Sequence, residues 1–102
     1  LQEATIYATQ VPLRTMKASY SAFPLIEAMA KDGNPNSVSD AGVGALAARS
    51  AVLGAQLNVK INAAGLKDRD TAEALIAEAQ QIAEQAVALE DETLKIVNEK
   101  IG

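Results

Sequence analysis

Cysteine and histidine are both missing from the 102 residues. Their absence excludes a disulfide framework, a Cys/His zinc site and any triad that turns on an imidazole. Aromatic side chains are nearly missing as well, with only Tyr7, Tyr20 and Phe23 in the whole chain. There is no uninterrupted apolar run of about 18 residues, no charged segment leading into an apolar one, and no lipidation motif, so no membrane partner is expected. The default expectation for compartment is the cytoplasm. Basic charge is in deficit, nine Lys+Arg against thirteen Asp+Glu for a net charge of −4. A phosphate backbone needs a basic stripe that displaces counterions, so nucleic acid is not an expected partner. No glycine-rich phosphate loop, metal-ligand cluster or nucleophile elbow is present, and no metal is expected.

What the chain does have is alanine, twenty-one of them within a 49 % apolar composition. A core built from such small side chains brings helices close together. From Leu1 to Lys31 the apolar residues Ile6, Leu13, Met16, Tyr20, Phe23 and Ile26 fall mostly three, four or seven apart, one buried helical stripe. Pro12 and Pro24 each remove a backbone hydrogen bond, which predicts one kinked rod or two rods with a break near Pro12. The chain opens at Leu1 almost directly into this helix, as a segment cut from something longer would.

The stretch Asp32 to Asp40, DGNPNSVSD, reads as a structured turn, with Gly33 expected at positive φ and Pro35 fixing its own φ. Ser37 or Ser39 is the expected N-cap, and Ser37-x-x-Asp40 fits a capping box, placing the start of the second helix at about Ser39 to Ala41. That helix runs to about Ala64, stopped by Gly65. At 100° per residue, Asp40, Gly44, Ala47, Ala51, Gly54, Asn58 and Asn62 lie within about 40° of one line. This is a small-residue seam with polar ends, flanked by Leu46, Leu53, Leu57 and Ile61, with Arg49, Gln56 and Lys60 opposite. Glycine within a helix costs about 1 kcal/mol relative to alanine, so Gly42, Gly44 and Gly54 imply close approach by another backbone or a ligand.

A third helix starts near Asp68 to Thr71 and continues to Ile101. Leu75, Ile82, Leu89 and Ile96 repeat every seven residues, with Ala72, Ala79 and Ala86 beside them. Val87, Leu94 and Ile101 add a stripe that predicts cover on two sides near the C-terminal end. Glu73, Glu78, Glu84, Glu90, Glu92 and Glu99 are expected on the wet face. The fold class is therefore all-α: one domain over 1–102, an elongated antiparallel bundle of three long helices, completed by helices from another chain or from a missing N-terminal half.

Among groups able to do chemistry, Asp40 stands out where an irregular loop meets a helix terminus, with Asn34, Asn36, Ser37 and Ser39 around it. Capping of the helix dipole is the competing role. Asn58 and Asn62 are suited to the edge of a heterocycle or, equally, to bonding between helices. Tyr7, Tyr20 and Phe23 suit a core better than a stacking platform. Arg14, Lys17, Lys31, Lys67 and Arg69 are able to attract an anionic tail, although solvated surface charge accounts for each taken singly.

The run GNPNSVSDAGVGALAARSAVLGAQLNVKINAAGLKD, Gly33 to Asp68, closely resembles the cyclodeaminase/cyclohydrolase family found at the C-terminal end of formiminotransferase-cyclodeaminase. The upstream VPLRTMKASYSAF, Val11 to Phe23, is similar to it too. The resemblance implies an all-helical, dimer-forming or larger homo-oligomeric domain of folate one-carbon metabolism, tied to histidine breakdown. It implies an ammonia lyase that binds a tetrahydrofolate derivative and converts 5-formiminotetrahydrofolate to 5,10-methenyltetrahydrofolate. The alternatives are methenyltetrahydrofolate cyclohydrolase or a non-catalytic oligomerisation fragment. By position, the family's loop falls on Asn34, Pro35, Asn36, Ser37, Ser39 and Asp40, and its helical asparagine on Asn58. Asp40 is then the expected proton shuttle, with Asn34, Asn36 and Asn58 orienting the pterin or the formimino group. The family domain is about twice as long as this chain.

Overall fold

The computed structural model describes residues 2–102, with side chains from Ile6 onward apart from that of Pro35. The expectation placed on Leu1, and any side-chain role of Pro35, lie outside the described residues. Among the described residues there is no strand; four helices follow one another, α1 Gln2–Tyr20, α2 Phe23–Asp32, α3 Pro35–Ala64 and α4 Arg69–Ile101. α1 and α2 together form one rod, α3 returns along it, and α4 runs out again, so three rods make the expected antiparallel bundle. It measures 52 × 17 × 16 Å with a radius of gyration of 16.0 Å. A globular chain of this length would have a radius near 13 Å, so the bundle is elongated.

The first rod breaks at Ser21–Ala22 and not near Pro12. Each proline strips the carbonyl four residues earlier of its helical donor. Before Pro24 the chain tightens: Ala22 N donates to Ser19 O at 3.2 Å, the Ser21 hydroxyl to Ala18 O at 2.6 Å, and the helix restarts with Ile26 N to Ala22 O at 3.1 Å. Pro12 stays inside α1 because the carbonyl it orphans, Ala8 O, accepts from the Asn62 side-chain amide of α3 at 3.1 Å.

α3 begins earlier than the serines suggest. Its N-cap is Asn34, whose side chain accepts from Ser37 N at 3.0 Å, with Pro35 in the first turn where no donor is needed. Ser37, Ser39 and Asp40 are therefore inside the helix, and the Ser37-x-x-Asp40 capping box does not form. Gly33 is also not at positive φ: its backbone is at φ −77°, ψ 159°. Glycine is required there by contact, because a Cβ would stand 2.4 Å from Met29 O and 2.9 Å from Ser37 Cβ.

The stop at Gly65 and the start at Asp68 agree with the sequence reading. The Arg69 guanidinium donates to Ala63 O at 3.3 Å and Leu66 O at 3.1 Å, satisfying carbonyls at the end of α3. The Asp68 carboxylate caps α4, accepting from Thr71 N at 3.2 Å and from the Thr71 hydroxyl at 2.7 Å. Those two bonds hold its carboxyl below the ordinary 3.8.

The core differs from the expected seam. The buried line of α3 is Val38, Ala41, Ala45, Ala48, Val52, Ala55, Val59 and Ala63; Asp40, Ala47, Ala51, Gly54 and Asn58 face outward. The alanine line of α4, Ala72, Ala79, Ala83 and Ala86, lies deepest, while Leu75, Ile82 and Leu89 are half-buried along its flank. Ile101 at the end of the second stripe remains 60 % exposed, so the last turn is not covered on two sides. Glu90 is not on the wet face: it is 2 % exposed and accepts from Arg49 Nη1 at 3.1 Å. Gln56, on the same inner side of α3, donates to Gln80 Oε1 at 2.8 Å.

Three outcomes follow from these contacts. Gly33→Ala should destabilise the chain by about 1–3 kcal/mol, read as a lower melting temperature by circular dichroism, since neither backbone carbonyl nor helix start can yield freely. Arg49→Met should cost about 3 kcal/mol by leaving the buried Glu90 carboxylate unpaired, and Arg49→Met/Glu90→Leu should regain most of it. Because the Asp68 carboxyl is held low in the folded state, its contribution is present above pH 3.8 and lost as pH falls through the lower folded value. In Asp68→Ala the melting temperature should be lower at neutral pH and fall less steeply into acid.

Candidate functional site

The residues singled out in the sequence fall into two groups along α3. Asn34, Asn36, Ser37, Ser39 and Asp40 gather at its N-terminal end, all exposed except the half-buried Ser37. Asn36 and Asp40, four residues apart, share one face. Asn58 and Asn62 lie near the other end. Asp40 and Asn58 are 18 residues apart in one continuous helix. At 1.5 Å per residue that is about 27 Å, so within one copy the carboxylate and the Asn58 amide do not meet on a single reacting centre.

The second group borders the more substantial hollow. A groove of about 430 Å³ runs between α1 and α3, lined by Val11, Pro12, Thr15, Ala51, Ala55, Asn58 and Asn62. It exists because alanines stand on the α3 side, where larger residues would close it. Its character is apolar walls with hydroxyl and amide groups at the edges, the lining that suits a flat heterocycle with polar rims. Asn62 is committed by its bond to Ala8 O, which fixes its amide at the groove wall, whereas Asn58 is exposed.

Several cations named as possible anion attractors are engaged elsewhere. Lys17 pairs with Glu78 at 2.7 Å, and Lys31 with Glu27 at 3.1 Å, a contact that raises the Lys31 ammonium above its ordinary value. Arg14 lies 5.9 Å from the centre of the Tyr7 ring, and Arg69 closes α3. Phe23 is buried, with the Tyr20 ring 6.2 Å away, as core aromatics. Among the described residues no three Asp, Glu, Cys or His side chains gather as a metal would require, and no helix is long and apolar enough to cross a membrane.

Val11, Pro12, Thr15, Ala51 and Ala55 were not legible as site residues. The available signal was Pro12 itself, since the carbonyl it frees requires a donor from a neighbouring helix, and Asn62 is that donor. The Arg49–Glu90 pair was also missed, although Glu90 continues the spacing of Ala79, Ala83 and Ala86. A carboxylate on a buried stripe needs a cation opposite it.

Over its full length the chain is 39 % identical to a methenyltetrahydrofolate cyclohydrolase of Methylorubrum extorquens, covering 49 % of that protein. Over 98 % of its length it is 32 % identical to a formimidoyltransferase-cyclodeaminase of Dictyostelium discoideum, covering 19 % of it. The chain thus spans half or less of these curated relatives. Residues 1–99 match the family described as formiminotransferase-cyclodeaminase. On the strength of that match, this chain belongs to the formiminotransferase-cyclodeaminase family.

Proposed function

We propose that the chain forms part of an enzyme acting at the one-carbon bridge of a tetrahydrofolate, and that its reaction is hydrolysis of 5,10-methenyltetrahydrofolate. The observation that carries this reading is the 39 % identity, over the whole of this chain and 49 % of the relative, to a methenyltetrahydrofolate cyclohydrolase. The groove between α1 and α3 supports it, as a slot with apolar walls and amide edges fit for a heterocycle. Asn34, Asn36, Ser37 and Ser39 form the polar surroundings of the carboxylate, and because Asn58 lies about 27 Å from Asp40 within one copy, Asn58 orients the ring only in a site completed at a subunit boundary.

Asp40 is the proton carrier. Water adds to the methenyl carbon and its proton passes to the Asp40 carboxylate. The C–N5 bond then breaks as Asp40 returns the proton to N5, while the added hydroxyl loses its own proton to solvent and becomes the formyl carbonyl of 10-formyltetrahydrofolate. One carboxylate suffices because the proton is taken and returned in sequence, which is why no histidine is needed.

A second reading is favoured by the similarity to a formimidoyltransferase-cyclodeaminase. There N10 attacks the formimino carbon, and the same carboxylate relays the N10 proton to departing ammonia. The two reactions differ in product and not in the group required.

Given 5,10-methenyltetrahydrofolate, the protein should accelerate loss of the methenyl absorbance, and given 5-formiminotetrahydrofolate it should release no ammonia above background. Asp40→Asn should lower kcat by about 10²–10⁴ with unchanged helix content, since Asp40 is exposed. Turnover within a few-fold of the parent would remove Asp40 from this role, and ammonia release would select the second reading.

A further inference from the structure

Gln56 is a buried polar residue of α3 that the chain leaves half satisfied. It is 7 % exposed, and its side-chain amide donates from Nε2 to Gln80 Oε1 at 2.8 Å. The Gln80 amide in turn donates from Nε2 to Glu84 Oε1 at 3.0 Å. A carboxylate only accepts, so Glu84 sets the direction of the whole relay. Gln80 turns its nitrogen to Glu84 and its oxygen to Gln56, and Gln56 must then offer its nitrogen to Gln80. The Gln56 Oε1 acceptor is left over, and among the described residues no donor reaches it. A buried amide oxygen without a donor costs free energy that a leucine in the same place would not.

These three side chains border a hollow of about 280 Å³ between α3 and α4, whose remaining walls are Leu53, Ala83 and Val87. Positions 56 and 58 are turned about 160° apart around α3, so the hollow opens away from the groove that holds Asn58. The two share no lining residue, and what the hollow binds is independent of the folate reading. Glu84 is exposed at the rim, and neither lysine nor arginine lines the walls. Its Oε2 receives no hydrogen bond among the described residues.

We propose that this hollow binds a short aliphatic diamine. One ammonium sits on the Glu84 carboxylate at the rim, the other end donates to Gln56 Oε1, and the methylene chain lies against Leu53, Ala83 and Val87. Both ends of the relay present acceptors, so the ligand must donate at both. The acceptors stand one amide group apart, which calls for two donors joined by a short chain. Apolar walls between them suit methylenes. The sign of the ligand is set by Glu84 and favoured by the net charge of −4. An anion is repelled by Glu84, an apolar molecule leaves Oε1 unpaired, and a monoamine satisfies one end only.

Titration of the 15N-labelled chain with 1,4-diaminobutane should shift the side-chain NH2 resonances of Gln56 and Gln80 to saturation and leave those of Asn58 and Asn62 in place. n-Butylamine, with the same carbon chain and one donor, should bind about tenfold more weakly. Gln56→Leu removes the inner acceptor and keeps the wall apolar, so it should bring the diamine down to the affinity of the monoamine. Glu84→Gln should abolish binding of both, because it removes the charge and lets the relay reverse, turning the Gln56 nitrogen toward the hollow. Glu99→Gln, at an exposed carboxylate near the end of α4, should change neither affinity. Glu84 is exposed, so Glu84→Gln retains the fold and carries the test even if Gln56→Leu unfolds. Absence of saturable shifts at Gln56 and Gln80, equal affinity for diamine and monoamine, or equal losses in Glu84→Gln and Glu99→Gln would each overturn the site.

Discussion

The bundle depends on how closely its three rods approach. Its cross-section of 17 × 16 Å leaves room on the central axis for alanine, valine and threonine, with Met16 and Phe23 as the largest buried side chains in the first rod. Dispersion contacts fall off steeply with separation, so small side chains on facing helices gain by bringing backbones together. The same closeness displaces the larger residues. Leu75, Ile82 and Leu89 pack along the flank of the bundle, and Leu57 and Ile61 stand outside it.

This narrow core makes each polar group within it consequential. The Glu90 carboxylate is held by Arg49, and Gln56 by Gln80, so the middle of the α3–α4 contact is fixed by directional bonds in a region where alanines alone would permit sliding. The ends are fixed in other ways. Asn34 caps α3, Arg69 closes it, Asp68 opens α4, and the Lys100 ammonium donates to Lys31 O where α4 passes α2. Pro12 and Asn62 show the same economy: a missing backbone donor in one helix is supplied by a side chain of the next, and the bond sets the wall of the groove.

Functionally, the fold separates what the sequence lists together. The polar start of α3 and the asparagines near its end occupy one line of one helix, and helical rise alone keeps them apart. The lining of the groove includes no carboxylate, and Asp40 stands about 27 Å along the helix from Asn58.

Much of the architecture was legible in the sequence because helices report themselves through period and punctuation. The three rods, the stop at Gly65 and the start at Asp68 follow from spacing and capping chemistry that are local to a few residues. So does the family likeness carried by Gly33 to Asp68, which residues 1–99 as a whole support. What spacing did not decide was which stripe of α3 turns inward. Its alanine and glycine content offers two nearly equivalent lines, and their choice depends on the neighbours: Arg49 faces Glu90 and Gln56 faces Gln80 only when the Val38 to Ala63 line is buried. Likewise Asn34 displaced Ser37 and Ser39 as cap, and Pro12 stayed helical, because partners separated by three residues in one case and by fifty-four in the other supplied the bonds. Local chemistry determined that there would be helices and where they turn; only their mutual packing selected the buried stripe, because that choice is made by contacts between residues distant in the chain.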